Sequence, residues 1–97
     1  SGGITGLLKT AHLAEAHGMN CEIHTAIYHP LELVNLHCAA SINNNEFFEI
    51  LIPEYLFNIG LTHPIEIRNG KAYVPQKSGL GIDLDWDFID NATIKVF

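Results

Sequence analysis

Apolar residues in the first part of the chain recur at helical spacing. Leu7, Leu8, Ala11 and Ala14, with Glu15, follow a helical rather than an alternating order, which predicts a helix over Ile4–His17. Thr5 is the expected cap, and Gly18 stands just past the last turn, where a left-handed stop residue belongs. Met19–His24 is short and bounded and predicts a buried strand. A loop over Thr25–His29 leads to Pro30, which suits the first turn of a second helix. That helix is carried by Leu31, Leu33, Val34, Leu36, Cys38 and Ala39 and stops near Asn43-Asn44-Asn45. Glu46–Leu51, rich in Phe and Ile, predicts a second short strand that Pro53 ends.

The order helix, strand, helix, strand with short connections is the pattern of repeating βα units around a parallel sheet. Two parallel strands do not make a sheet by themselves, since such strands need helices on both faces and neighbours on both edges. The segment therefore reads as a slice of an α/β fold. Beyond Pro53 the character changes. Ile65–Arg68 and Lys71–Val74 flank Asn69-Gly70, a strong two-residue hairpin signal. Pro75–Gly81 is a punctuated loop, Leu84–Ile89 one expected helical turn with Asp85 and Asp87, and Thr93–Phe97 an expected final strand. The organisation is thus residues 1–58 for the βα units and 59–97 for a tail.

Composition sharpens this picture. Hydrophobic residues are 47% and charged residues only 16% of 97, little charge for the surface of a free-standing domain of this size. Part of the apolar surface is therefore expected to lie against another chain or another part of the same one. The formal net charge of -6, with five scattered Lys and Arg, disfavours nucleic acid and anionic membrane surfaces. No run approaches the ~20 apolar residues of a membrane span, and Ser1-Gly2-Gly3 does not begin a signal peptide. Cys21 and Cys38 have no framework spacing and are expected to be free thiols in a reducing compartment, the cytoplasm.

Strand alternation selects the candidate chemistry. Glu22 and His24 share one face, Cys21 and Ile23 the other, and His24 is the last strand residue before a loop. In the second strand Glu49 faces opposite to Phe48 and Ile50. His24 and Glu49 would then meet at the C-terminal ends of neighbouring strands, where parallel barrels keep their reactive groups. A neutral His takes or delivers a proton beside a carboxylate near neutral pH. A Glu with a raised pKa donates a hydrogen bond to the enolate that forms. Such a His is also a common structural residue, and function must be argued from the site.

Glu22 would lie one layer deeper than His24, as a substrate-binding or cation-pairing carboxylate or as a solvated strand residue. A metal site has little support: Cys21 and His24 face opposite ways, His37 and Cys38 diverge on their helix, and His12 and His17 miss the i,i+4 spacing. Asp83, Asp85 and Asp87 form an acidic turn without the distal Glu of a calcium loop. Gly2-Gly3-Ile4-Thr5-Gly6 lacks the Lys of a phosphate-binding loop.

The run Gly2-Gly3-Ile4-Thr5-Gly6, then Ala14-Glu15-Ala16-His17-Gly18-Met19 and a strand ending in His24, resembles the mandelate racemase and muconate lactonizing group of the enolase superfamily. In that group a Gly-Gly-(Ile/Val)-Thr motif opens the sixth barrel helix and the seventh strand ends in the catalytic His, which His24 matches without a gap. Glu49 resembles the eighth-strand Glu that bonds the substrate carboxylate, and Asn69-Gly70-Lys71-Ala72-Tyr73-Val74-Pro75 with Gly79-Leu80-Gly81 resembles the C-terminal signature.

The resemblance implies the last part of a (β/α)8 TIM barrel, roughly two βα units plus the hairpin and tail, incomplete as a barrel. The tail would return toward a capping domain. It implies catalytic His24 and Glu49, and Mg²⁺ held by three carboxylates on the third, fourth and fifth strands, none of which is in this chain. The sixth-strand Asp that orients the His falls before Ser1, which would leave His24 without that partner. The expected partners are the remainder of the barrel, the capping domain, further copies of the chain and, in the parent enzyme, a small carboxylate substrate. The reaction is abstraction of the proton α to a carboxylate, with the 97-residue chain inactive alone. A longer stretch between His24 and Glu49 than in mandelate racemase, with a different Thr25–His29 loop, favours sugar-acid dehydration over racemisation, epimerisation or cycloisomerisation. A non-catalytic, self-associating module is the reading from another class.

Overall fold

In the computed structural model, which describes residues 2–25 and 27–96, the first helix, α1, spans Gly3–Ala16. It begins one residue earlier than the pattern predicts, with Gly2 at its N-cap, so Thr5 sits inside the first turn and caps nothing. Its end is as expected. Gly18 is left-handed (φ 67°), and its N–H donates to Glu15 O while that of Met19 reaches back to Ala14 O at 2.9 Å. This paired closure satisfies carbonyls the helix would otherwise leave open, and a Cβ would strain the backbone there.

The second helix, α2, runs His29–Ser41 with Pro30 in its first turn. It is the hub of the packing. Cys38 and Ala39 join Ala11 of α1, Ile23 and Ile42 in one buried cluster, with Leu7, Leu8 and Cys21 against it. Leu33 and Leu36 join Leu61 and Ile65 of the tail in a second, and Phe48 packs against both. The helix therefore buries two faces, one toward α1 and one toward the tail.

The two predicted strands lie side by side in parallel, yet neither is part of a sheet ladder. Their burial alternates as predicted: Ile23 and Thr25 are buried between exposed Glu22 and His24, and half-buried Phe48 and Ile50 flank exposed Glu49. The backbone bond between them runs from Cys21 N–H to Asn44 O at 2.7 Å. Other amides that a ladder would use are taken by side chains. Glu22 accepts from the N–H groups of Glu46 and Phe47, each at 3.1 Å, and Glu49 accepts from Thr25 N–H at 3.1 Å. A carboxylate outcompetes a carbonyl for a nearby N–H, and a parallel pair without flanking strands has little to hold its ladder.

Asn side chains complete the join. Asn44 donates to Ala11 O and Met19 O at 3.0 Å, and Asn45 to Cys21 O and the Glu22 carboxylate. After a 3-10 turn at Glu54–Leu56, the hairpin β1 (Glu66–Arg68) and β2 (Lys71–Tyr73) pairs Glu66 with Tyr73 and Arg68 with Lys71. Asn69 (φ 51°) and Gly70 (φ 72°) turn it, both left-handed, as a two-residue turn matched to strand twist demands.

The tail is fastened back to α2 and to itself. His37 Nε2 donates to Leu80 O at 2.8 Å, and a bridge joins Leu61 to Leu84. The last helix, α3, spans Trp86–Ala92 and is capped by Asp85, whose carboxylate accepts from Phe88 N–H at 3.0 Å. Residues 93–96 form no strand, contrary to expectation; Ile94 and Val96 face solvent with no neighbouring strand among the described residues. Phe97, the end of that expected strand, lies outside the described residues, as do Ser1 and Ala26 of the loop after His24. No described helix is long and apolar enough to cross a membrane.

Leu36 and Leu13 separate core from surface. Leu36→Ala, at a site 4% exposed, is expected to cost about 2–5 kcal/mol. Leu13→Ala, 63% exposed on α1, is expected to cost under about 0.5 kcal/mol. Urea unfolding midpoints of the two variants check the contrast.

Candidate active site

The alternation that buries Ile23 leaves His24 at the rim, and the same alternation around Phe48 leaves Glu49 beside it. The two side chains meet: His24 Nδ1 lies 3.0 Å from Glu49 Oε2, and both are exposed. A carboxylate only accepts, so the ring donates through Nδ1–H, and Nε2 is the nitrogen left facing away from the pair. The contact holds the ring by its Nδ1 edge.

The same carboxylate carries a second bond. Thr25 N–H donates to Glu49 Oε2 at 3.1 Å, and the buried Thr25 hydroxyl donates to the Glu49 carbonyl at 3.1 Å. The Thr25 N–H holds the Glu49 carboxyl below the usual range; desolvation opposes it, and the hydrogen bond and charge of His24 add to the lowering. This departs from the raised pKa that a hydrogen-bond donor toward an enolate requires. In this chain Glu49 is an ionised acceptor, because its donors are close and water still reaches it.

Glu22 shares the His24 face as the alternation predicts, but its carboxylate is directed along the fold. Both oxygens are taken by Asn45 Nδ2 at 2.8 Å and by the backbone of Glu46 and Phe47. These amide donors occupy the place expected of a cation. The acidic turn is also accounted for: Asp85 caps α3, and Asp83 pairs with Lys77, which holds its carboxyl below the ordinary range, with His63 adding to the effect. Asp87 stands in the first turn of α3, where a negative charge suits the helix end. Cys21 and Cys38 are both free thiols, as expected. Burial pushes the Cys38 thiol up.

Sequence reasoning passed over two buried polar residues. His29 and Glu32, in the first turn of α2, are each 0% exposed, and none of their side-chain nitrogen or oxygen atoms has a hydrogen-bond partner. Burial pushes the His29 imidazole down, offset in part by the charge of Glu54. Burial pushes the Glu32 carboxyl up, and polar groups of Thr25, Asn35 and Ile27 near it offset only part of that. Their one signal was spacing: three apart on a helix, they share a face with buried Leu33 and Leu36.

Among the described residues no three His, Cys, Asp or Glu side chains are grouped so as to hold a metal ion. The described residues therefore do not by themselves fit a Mg²⁺ site.

A family model described as enolase C-terminal domain-like matches residues 1–88. A crystal structure from Pseudovibrio sp., assigned to the mandelate racemase/muconate lactonizing enzymes, superimposes with a TM-score of 0.89 at 33% identity. The match covers 97% of this chain and 25% of that one, so the chain spans a quarter of the length of this relative.

A lowered Glu49 pKa sets a direction for pH dependence. The stability contributed by the bonds to the Glu49 carboxylate, the Thr25 N–H first, is present above the ordinary Glu value of 4.5 and is lost as pH falls through the lower folded value. Carbon NMR of the Glu49 carboxyl is expected to show titration below that of an exposed Glu. His24→Asn is expected to move it upward.

Proposed function

The chain belongs to the enolase C-terminal domain-like family, and we propose that it supplies the proton-transfer pair of an enzyme that removes the proton α to a carboxylate, a sugar-acid dehydratase. The observation that carries this reading is the His24–Glu49 contact, which joins the last residue of one barrel segment to its neighbour on the next. Glu49 orients the ring, and His24 Nε2 takes or returns the proton. As a substrate carboxylate approaches, its negative charge opposes that of Glu49 and raises the Glu49 pKa. The proton shared by the pair then moves toward Glu49, which becomes a donor to the developing enolate.

Glu22 acts in this reading from one layer below, holding Glu46 and Phe47 so that Glu49 stays at the rim, with its carboxylate a further candidate for substrate contact. Mg²⁺, which the family implies, would take its ligands from carboxylates outside this chain. The division into barrel units (1–58) and a returning tail (59–97) is part of the same proposal. Two free thiols support a reducing, cytoplasmic setting.

Association is a second reading that a specific observation favours. Phe47, Ile52 and Tyr55 are 70%, 77% and 78% exposed along and just beyond the second segment. Such a row is expected to be covered, by the rest of a barrel or by further copies. The 97-residue chain alone is expected to be inactive and to sediment as an oligomer at micromolar concentration. A monomer by analytical ultracentrifugation would count against self-association.

The catalytic reading is tested in the whole enzyme that contains this chain. His24→Asn is expected to lower turnover on acid sugars by ~10²–10⁴, with an unchanged circular dichroism spectrum. Turnover equal to wild type would remove His24 from the chemistry.

A further inference from the structure

The end of the two barrel segments that carries His24 and Glu49 is joined without a ladder. Among the described residues the backbone bond between the segments, Cys21 N–H to Asn44 O, lies at their other end. At the rim the join passes through Thr25. This residue is 2% exposed and shares the buried face of Ile23, so its hydroxyl needs a partner inside the fold. It has one in the Glu49 carbonyl, to which it donates at 3.1 Å.

The backbone of the same residue reaches the Glu49 side chain. Thr25 N–H donates to Oε2 at 3.1 Å, and His24 Nδ1 lies 3.0 Å from that same oxygen. Consecutive residues thus place two donors on one carboxylate oxygen, and among the described residues these are the hydrogen bonds the carboxylate makes. A half-exposed Glu side chain otherwise samples several rotamers. Two bonds to one oxygen remove that freedom only while the Glu49 backbone stays at a fixed distance from Thr25. The hydroxyl-to-carbonyl bond sets that distance, since no backbone ladder does so at this end.

We infer that Thr25 is a positioning residue: its hydroxyl stands in for a ladder bond and holds the Glu49 backbone where the carboxylate meets the Thr25 amide and the His24 ring together. The link itself is a property of the folded chain. Its consequence for catalysis rests on the proposed reaction, in which His24 and Glu49 are the reactive pair. The link accounts for a hydroxyl at a buried place whose shape Val would fill as well. Val there would leave the Glu49 carbonyl without its donor and the carboxylate free to move off His24.

The test compares Thr25→Val, which keeps the shape and loses the hydroxyl, with Thr25→Ser, which keeps the hydroxyl. The 97-residue chain with labelled Glu carboxyl carbons is followed by NMR across pH, with circular dichroism as the folding control. Thr25→Ser is expected to titrate at Glu49 as the wild-type chain does. Thr25→Val is expected to shift that titration up toward the ordinary 4.5. A folded Thr25→Val chain with Glu49 unmoved overturns the inference, as does a Thr25→Ser chain shifted as far as Thr25→Val. Should Thr25→Val not fold, the wild-type and Thr25→Ser chains decide. The amide proton at position 25 is expected to shift through the Glu49 titration in both, and failure to follow it in either overturns the link. In the whole enzyme that contains this chain, Thr25→Val is expected to lower turnover by up to ~10²-fold, as a small misplacement of a reacting group does, and Thr25→Ser to restore it. An enzyme that loses turnover on His24→Asn but keeps it on Thr25→Val overturns the positioning role. One indifferent to His24→Asn would remove the catalytic reading and leave the link standing.

Discussion

Two carboxylates hold the barrel segments together where a sheet ladder would ordinarily do so. Glu22 gathers the amides of Glu46 and Phe47, and Glu49 gathers that of Thr25. A hydrogen bond to a charged acceptor is stronger than a neutral amide–carbonyl bond. Few such bonds are therefore needed to fix the register of the segments. That register decides the rest: it places Ile23 in the cluster around Ala11 and Cys38, lets Phe48 pack against both clusters, and leaves His24 and Glu49 at the rim.

The helix α2 transmits that arrangement. One of its faces closes on α1 through Cys38 and Ala39, another on the tail through Leu33 and Leu36, and His37 fastens the loop at Leu80. Its first turn carries His29 and Glu32, both buried. The tail thus packs on the same helix that closes on α1. Outside these contacts, Phe47, Ile52 and Tyr55 remain open, consistent with a family whose member from Pseudovibrio sp. is four times as much chain.

The pair at the rim shows how a site depends on its surroundings for charge. Glu49 is ionised here because Thr25 and His24 both supply donors and solvent reaches it. Excluding water and bringing up another negative group would push in the opposite direction. The same two residues thus suit a resting ion pair and, in the proposed reaction, a proton-sharing pair.

Local patterns were enough for the helices at Gly3–Ala16 and His29–Ser41, the left-handed stop at Gly18, the Asn69-Gly70 hairpin and the faces of Ile23, His24, Phe48 and Glu49. Each depends on periodicity or on the preference of a residue for its own backbone, information carried within a few positions. The charge state of Glu49, the grip of Glu22 on Glu46 and Phe47, the cross-links from Asn44 and Asn45 and the burial of His29 and Glu32 were not legible. A Glu in the first turn of a helix ordinarily faces water and suits the helix end, and nothing adjacent to Glu32 marks it otherwise. Thr25 and Glu49 are twenty-four positions apart. Only the fold brings them together, because desolvation and hydrogen bonding depend on which distant groups become neighbours, and no local pattern encodes that.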